Sequence, residues 1–432
     1  MTHAPRPRSR RQSARRLLVD LSPLHEHRDY RLLWFGQVVS GMGNQVTRIA
    51  LPFQVYVLTN SVVAVGVLTV VQLIPILIFS LGAGSIADAV DRRRLLILTQ
   101  IGMAISSLAL AVLAIQPAPS LTAIMIVAFV AAGIGSVDQP TRSSAIPRLV
   151  APDRLPSAIT LNQLNFQAAG IVGPAVGGLL IATVGLAGAY AADVATFAAS
   201  LVALAMIAPI APLVTASRPG LAAIRAGLAF AAKRPVILST FAIDLVAMIF
   251  GMPLALFPAL ALTVFHNGPV GVGLMAAAPG IGAFAGALVS GWVSRVEHPG
   301  RAVIWAVVVW GLAIAAFGLS TFSFALALVF LGIAGAADML SAVFRSTIVQ
   351  LETPDELRGR ITSIHMLVVT SGPRFGDIEA SAVAALAGPQ FAVVSGGLLC
   401  LVGVVAVVRA FPGLAAHVLP THRAAASAGS AQ

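Results

Sequence analysis

A chain of 432 residues that is 58% hydrophobic and only 10% charged, with a mean hydropathy of +0.93, is too apolar for a water-soluble globular fold. Its formal net charge of +11 does not indicate nucleic acid, because the arginines are scattered through an N-terminal stretch and the gaps between apolar runs. One cysteine, Cys400, allows no internal disulfide and leaves little room for redox chemistry.

In chain order, Arg6, Arg8, Arg10, Arg11, Arg15 and Arg16 mark a basic tail over residues 1–30. The apolar run after Leu32 is too long for a cleaved signal, so the tail is expected to remain on the cytoplasmic side. Apolar runs of about 20 residues, the length that crosses a bilayer, predict spans over Leu32–Leu58, Val62–Ala83, Leu95–Ile115, Leu121–Val137, Ser157–Val184 and Ala187–Ala208. A linker over residues 209–235 follows, with an amphipathic piece from Leu221 to Ala232. The second set is Val236–Val264, Val270–Val293, Ala302–Leu319, Phe322–Phe344, Ile361–Leu386 and Phe391–Val408, before a tail over 411–432.

The connections alternate in charge. Those near Asn60, Pro117, Gly185, Asn267, Ser320 and Pro389 hold no Lys or Arg; the others hold Arg92 to Arg94, Arg142 to Arg154, Arg218 to Arg234, Arg295 and Arg301, and Arg358 and Arg360. By the positive-inside rule the basic connections and both termini are cytoplasmic. A repeat supports an even count: Leu149-Val150-Ala151-Pro152-Asp153-Arg154-Leu155 returns as Leu351-Glu352-Thr353-Pro354-Asp355-Glu356-Leu357, and Gly173-Pro174 as Gly372-Pro373. The expectation is an all-α membrane protein of twelve transmembrane helices in two six-helix bundles, residues 31–208 and 236–410, with a substrate site at their interface.

The end of the second span, Gly84-Ser85-Ile86-Ala87-Asp88-Ala89-Val90-Asp91-Arg92-Arg93-Arg94, resembles the cytoplasmic loop motif of the major facilitator superfamily, departing from it at Ala89 and Asp91. Its Asp-Arg-Arg-Arg ending, the opening Tyr30 to Gln37 and the stretch Gln350 to Ser363 resemble the branch of enterobactin exporters and macrolide-type efflux proteins. Gly173-Pro174-Ala175-Val176-Gly177-Gly178 is similar to the fifth-helix motif of the family's antiporters; tight helix packing is the plainer reading of those glycines. The resemblance implies the major facilitator fold, a conformational gate at Gly84, Asp88, Asp91, Arg92, Arg93 and Arg94, and a monomer in the bacterial inner membrane.

Charges inside spans cost roughly 2.5–3.5 kcal/mol on insertion scales and so call for a partner or a function. Gln37, Gly41, Asn44 and Arg48 share one face of the first span, and Arg48 is a candidate either for binding an oxygen-rich anion or for a structural ion pair. In the eleventh span Arg374 and Asp377 face one way and could neutralise each other, whereas Glu379 points elsewhere; Glu379 and Asp244 are candidate proton carriers. Asp138 and Asp338 lie near Arg142 and Arg345, which favours structural pairing, and Asp193 is a further acidic position.

The chain carries no nucleotide-binding loop, hydrolase serine motif or His-Glu-x-x-His run, so it is read as non-enzymatic, without cofactor or metal. The expected partners are a small-molecule substrate, protons and membrane lipid, with no nucleic acid. The leading expectation is proton-coupled antiport of a siderophore; the alternatives are multidrug or macrolide efflux, and a non-transporting sensor or scaffold.

Overall fold

The computed structural model describes residues 20–210 and 229–418; the arginine-rich tail before Asp20, most of the predicted linker and the residues after Val418 lie outside the described residues, as do the side chains of 80–89, Asp88 among them. The elements are α1 (Ser22–Glu26), α2 (Arg28–Thr59), α3 (Val62–Ala89), α4 (Arg92–Ile115), α5 (Leu121–Leu149), α6 (Leu155–Ala205), α7 (Pro235–Gly251), α8 (Gly268–Leu288), α9 (Pro299–Leu319), α10 (Phe324–Glu352), α11 (Asp355–Ala387) and α12 (Pro389–Ala410). No strand occurs among the described residues.

Short polar breaks set the helix ends. Ser61, Ser120 and Ser323 cap α3, α5 and α10 by accepting from the N–H groups of Ala64, Ala123 and Leu326. The loop expected at Gly185–Ala187 shrinks to one residue: α6 folds on itself at Gly185, whose φ of 74° suits glycine and few others. The predicted span over Val236–Val264 is interrupted. Its α-helix ends at Gly251, and after Met252 and Pro253 the chain restarts as a 3-10 turn (Leu254–Leu256) that passes into a π-helical turn (Leu260–Val264). Pro253 and Pro258 lack the N–H groups a continuous helix needs.

Among the described residues, nine helical stretches are long and apolar enough to cross a membrane, and α6 with its fold at Gly185 is one of them. The long helices that fall short, α2 and α11, are those interrupted by Arg48 and by Arg374 and Asp377. Lipid contact is written on α4. Leu98, Ile101, Ile105, Leu108, Val112 and Ile115, spaced three and four apart, are exposed, whereas Thr99, Gln100, Ser106 and Ser107 on the other side are buried. A helix polar inside and apolar outside is stable only where the outer solvent is hydrocarbon.

The buried apolar clusters reveal the shape. The largest joins the two halves, but its first-half members, such as Val46, Leu68, Leu110, Ile124 and Ile181, all lie towards the helix ends remote from the basic connections. At the basic ends, one cluster around Tyr30, Leu96 and Ile146 stays within the first half and another around Ile237, Val349 and Ile361 within the second. Among the described residues, the buried apolar core therefore joins the halves at the non-basic ends and stays within each half at the basic ends. Two glycine crossings make the fused side: Gly178 of α6 against Gly273 of α8, and Gly66 of α3 against Ser381 of α11.

Beneath the first half, α1 forms a strap. Arg154 donates from Nε and Nη2 to the Glu26 carboxylate at 2.9 and 2.7 Å, and Ser157 Oγ donates to Asp20 Oδ2 at 2.8 Å. Hydrogen bonds from the Ser22 hydroxyl and backbone and from Ser157 hold the Asp20 carboxyl at about 2, below its ordinary 3.8. The bonds from Ser22 lie within the strap, so only the share from Ser157 and Arg154 ties it to the bundle; that share is present above the carboxyl's ordinary value and fades as pH falls towards 2. A spin label at the exposed Leu21 should thus stay immobile at pH 5 and gain mobility only well below pH 4. Release centred above pH 4 would contradict this.

Candidate substrate cavity

The gap between the halves is lined by α2 and α11. On α2, Asn44 and Arg48 are exposed and Gln37 is partly exposed on one helical face. Arg48 interacts electrostatically with Asp377 of α11 in the other half, and Arg374 interacts with both. Among the described residues neither Arg48 nor Arg374 is held in a hydrogen bond or a salt bridge, so their guanidinium donors remain available to a ligand. The mutual neutralisation expected of Arg374 and Asp377 thus takes a looser form: one carboxylate shared electrostatically by two arginines from different helices.

Asp377 has a second task. Its Oδ1 accepts from the Ala255 N–H at 2.8 Å, so it caps the point where the seventh span restarts after Pro253. Sequence reasoning missed this link, although Gly251-Met252-Pro253 in the middle of a predicted span signalled a break. Caps of this kind contribute about 0.5–2 kcal/mol. Asp377→Ala should therefore lower the melting temperature of the detergent-solubilised protein, and an unchanged melting temperature would show the cap to be dispensable.

The other charged positions separate from this site. Asp244 is buried in an ion pair with Arg345, whose Nη2 also lies 3.6 Å from Asp338. Sequence proximity favours Arg345 with Asp338 and offers Asp244 as a proton carrier; the pairing of Asp244 with Arg345 depends on the approach of α7 to α10, which is not local. Asp138 Oδ2 accepts from Arg142 Nε at 2.6 Å one helical turn away, with Thr99 and Gln100 donating to its other oxygen. Asp193 accepts from Thr47 and Ser107, each at 2.6 Å, inside the first half. Glu379 is partly exposed and, among the described residues, has no hydrogen-bond or ion-pair partner.

The arginines of the loop motif bind the first half together. Asp91 accepts from the Arg94 N–H and starts α4; Arg92 donates to Ser144 of α5; Arg93 donates to the carbonyls of Leu204 and Ala205 at the end of α6, where a cation also meets the helix dipole. Gly84 lies on the last turns of α3, and the side chain of Asp88 is outside the described residues. In the fifth-helix motif, Gly173 and Gly177 admit Gln45 and Val46 of α2, while Pro174 and Gly178 face Gly273 of α8.

The sequence profile of the transmembrane secretion effectors, a family of major facilitator transporters, matches residues 19–424. This chain belongs to that family. The secretion effector is 26% identical over 387 residues to the enterobactin exporter EntS of Citrobacter koseri, covering 89% of this chain and 92% of the relative. It is 25% identical to the same exporter of Escherichia coli O127:H6, covering 90% and 93%. Solved structures share the fold: a bacterial homologue of the iron transporter ferroportin in an inward-facing state superposes with a TM-score of 0.70 at 15% identity, covering 90% of this chain and 99% of that one. A POT family transporter in complex with 5-aminolevulinic acid gives 0.70 at 12% identity, covering 90% and 97%. The secretion effector is a multi-pass inner-membrane exporter of a small molecule.

Proposed function

We propose that this protein exports an anionic, oxygen-rich siderophore of the catecholate class by proton-coupled antiport, as a monomer of twelve spans whose two six-helix halves, residues 31–208 and 236–410, rock about the cavity. The observation that carries the reading is the pair of arginines, Arg48 and Arg374, on opposite halves, each interacting electrostatically with Asp377 and neither held in a hydrogen bond or ion pair among the described residues. A planar guanidinium offers paired donors to catecholate or carboxylate oxygens, and two of them in one cavity favour an anion over a cation. Similarity to enterobactin exporters along nearly the whole chain supports the same substrate class. With the basic connections in the cytoplasm, the fused seams lie on the periplasmic side and the cavity opens inwards, ready to load cytoplasmic substrate. Bound substrate then triggers the rearrangement that parts Gly178 from Gly273 and closes the basic ends.

Glu379, without a partner among the described residues, supports the rival reading of amphiphilic-cation efflux. Everted membrane vesicles with an acidic interior distinguish the two. Uptake of enterobactin that a protonophore abolishes is expected, with no uptake of a lipophilic cation. Uptake of the cation alone would overturn the siderophore reading.

A further inference from the structure

Asp244 and Arg345, buried between α7 and α10, form with the partly exposed Asp338 a second charged cluster separate from the arginines of the cavity. One guanidinium serves two carboxylates there. Arg345 Nη1 pairs with Asp244 Oδ1 and Nη2 lies 3.6 Å from Asp338 Oδ1. Asp244 and Arg345 are 2% and 3% exposed, whereas Asp338 is 39% exposed. The second oxygen of Asp244 is buried and takes no hydrogen bond among the described residues. A comparable position in the first half is balanced: Asp138 alone faces Arg142, and Thr99 and Gln100 satisfy its other oxygen. This cluster thus holds one carboxylate more than its guanidinium, and its Asp244 lies where an unneutralised charge is costly.

We infer that the Asp244–Arg345–Asp338 cluster is a proton-binding site, in which a single proton shared by the two carboxyls discharges the surplus negative charge and Asp338 exchanges that proton with the inward-open gap. The groups around it are few. His365 of α11 interacts electrostatically with Arg345 and stacks near Phe241 of α7; α9 and α12, which also border α7, carry no carboxylate or histidine. As in any pair of interacting carboxyls, the proton belongs to the pair and not to one residue. Protonation weakens the tie between α7 and α10. Because α7 leads directly into the break that Asp377 caps beside Arg48, the proton site and the substrate cavity act on one helix. The inference deepens the antiport reading by naming its ion site, yet proton binding itself needs no substrate.

Infrared difference spectra of the purified protein between about pH 9 and about pH 6 test it directly. A protonated-carboxyl stretch that shifts with isotope-labelled aspartate is expected in the wild type and in Asp138→Asn. It should be lost in Asp244→Asn and equally in Asp338→Asn, since either change leaves one carboxylate on one guanidinium as in the first half. Asp338, being partly exposed, tolerates its substitution should the buried one impair folding. Persistence of the band in both single variants, or no such band in the wild type, overturns the assignment. In everted vesicles, Asp338→Asn should lower acid-driven enterobactin uptake at least about tenfold while substrate exchange without a gradient continues. A normal infrared result without enterobactin uptake by the wild type would count against the siderophore reading alone. Acid-driven uptake unchanged in both variants would count against this site alone.

Discussion

Arg48→Ala is expected to reduce enterobactin binding and uptake roughly 10- to 100-fold, the effect of deleting charge-assisted hydrogen bonds worth about 1.5–3 kcal/mol. The size follows from the setting. Arg48 is exposed and has no hydrogen-bond or ion-pair partner of its own among the described residues, so a ligand receives its donors without first breaking a protein contact. Arg48→Lys keeps the charge but loses the planar fork, and an intermediate loss is expected. Arg374→Ala should resemble Arg48→Ala. Equilibrium binding to protein in lipid nanodiscs checks all three, and equal affinity in wild type and Arg48→Ala would remove the arginine pair from the substrate site.

Gly178→Ala should shift the transporter away from the conformation described here. A Cβ at Gly178 would stand 2.6 Å from the Pro269 carbonyl oxygen and 3.0 Å from the Gly273 Cα, both backbone atoms that cannot swing aside. Overpacking of this kind costs about 1–3 kcal/mol. The cost falls only on the conformation in which α6 and α8 touch, so the equilibrium should move about 5- to 100-fold towards the state that parts them. The single native cysteine, Cys400, is fully buried and so shielded from an impermeant reagent, which allows Ser381→Cys to report on the other crossing, where it lies against Gly66. A membrane-impermeant thiol reagent added outside should label this position several-fold faster when Gly178→Ala is present. An unchanged labelling rate would show that the α6–α8 contact does not discriminate between the two states.

Much of the organisation was legible in the sequence because membrane insertion is a local matter. The length of each apolar run, the alternation of basic and uncharged connections, and the break residues Ser61, Gly185 and Gly388 act within a turn or two of themselves. The polar stripe of Gln37, Asn44 and Arg48 was visible for the same reason, since helical periodicity alone puts these residues on one face. The fifth-helix glycines were readable as tight-packing positions, but not the partner they admit.

Other features depended on residues distant in sequence. Asp244 and Arg345 are 101 positions apart, and nothing in either neighbourhood marks them as partners. Asp377 and Ala255 are 122 apart, and the bond between them exists because the chain restarts as a new helical turn after Pro253, beside α11, with the Ala255 N–H in its first turn. Charges on different helices are chosen as partners by packing, and packing is a property of the whole bundle. By itself, the sequence determined that this chain lives in lipid, which stretches are helical, and which faces carry charge. The tertiary structure decided which of those charges are spent on one another, which stay open towards a substrate, and on which side the two halves meet, because each of these depends on the distance between helices and not on the order of residues along them.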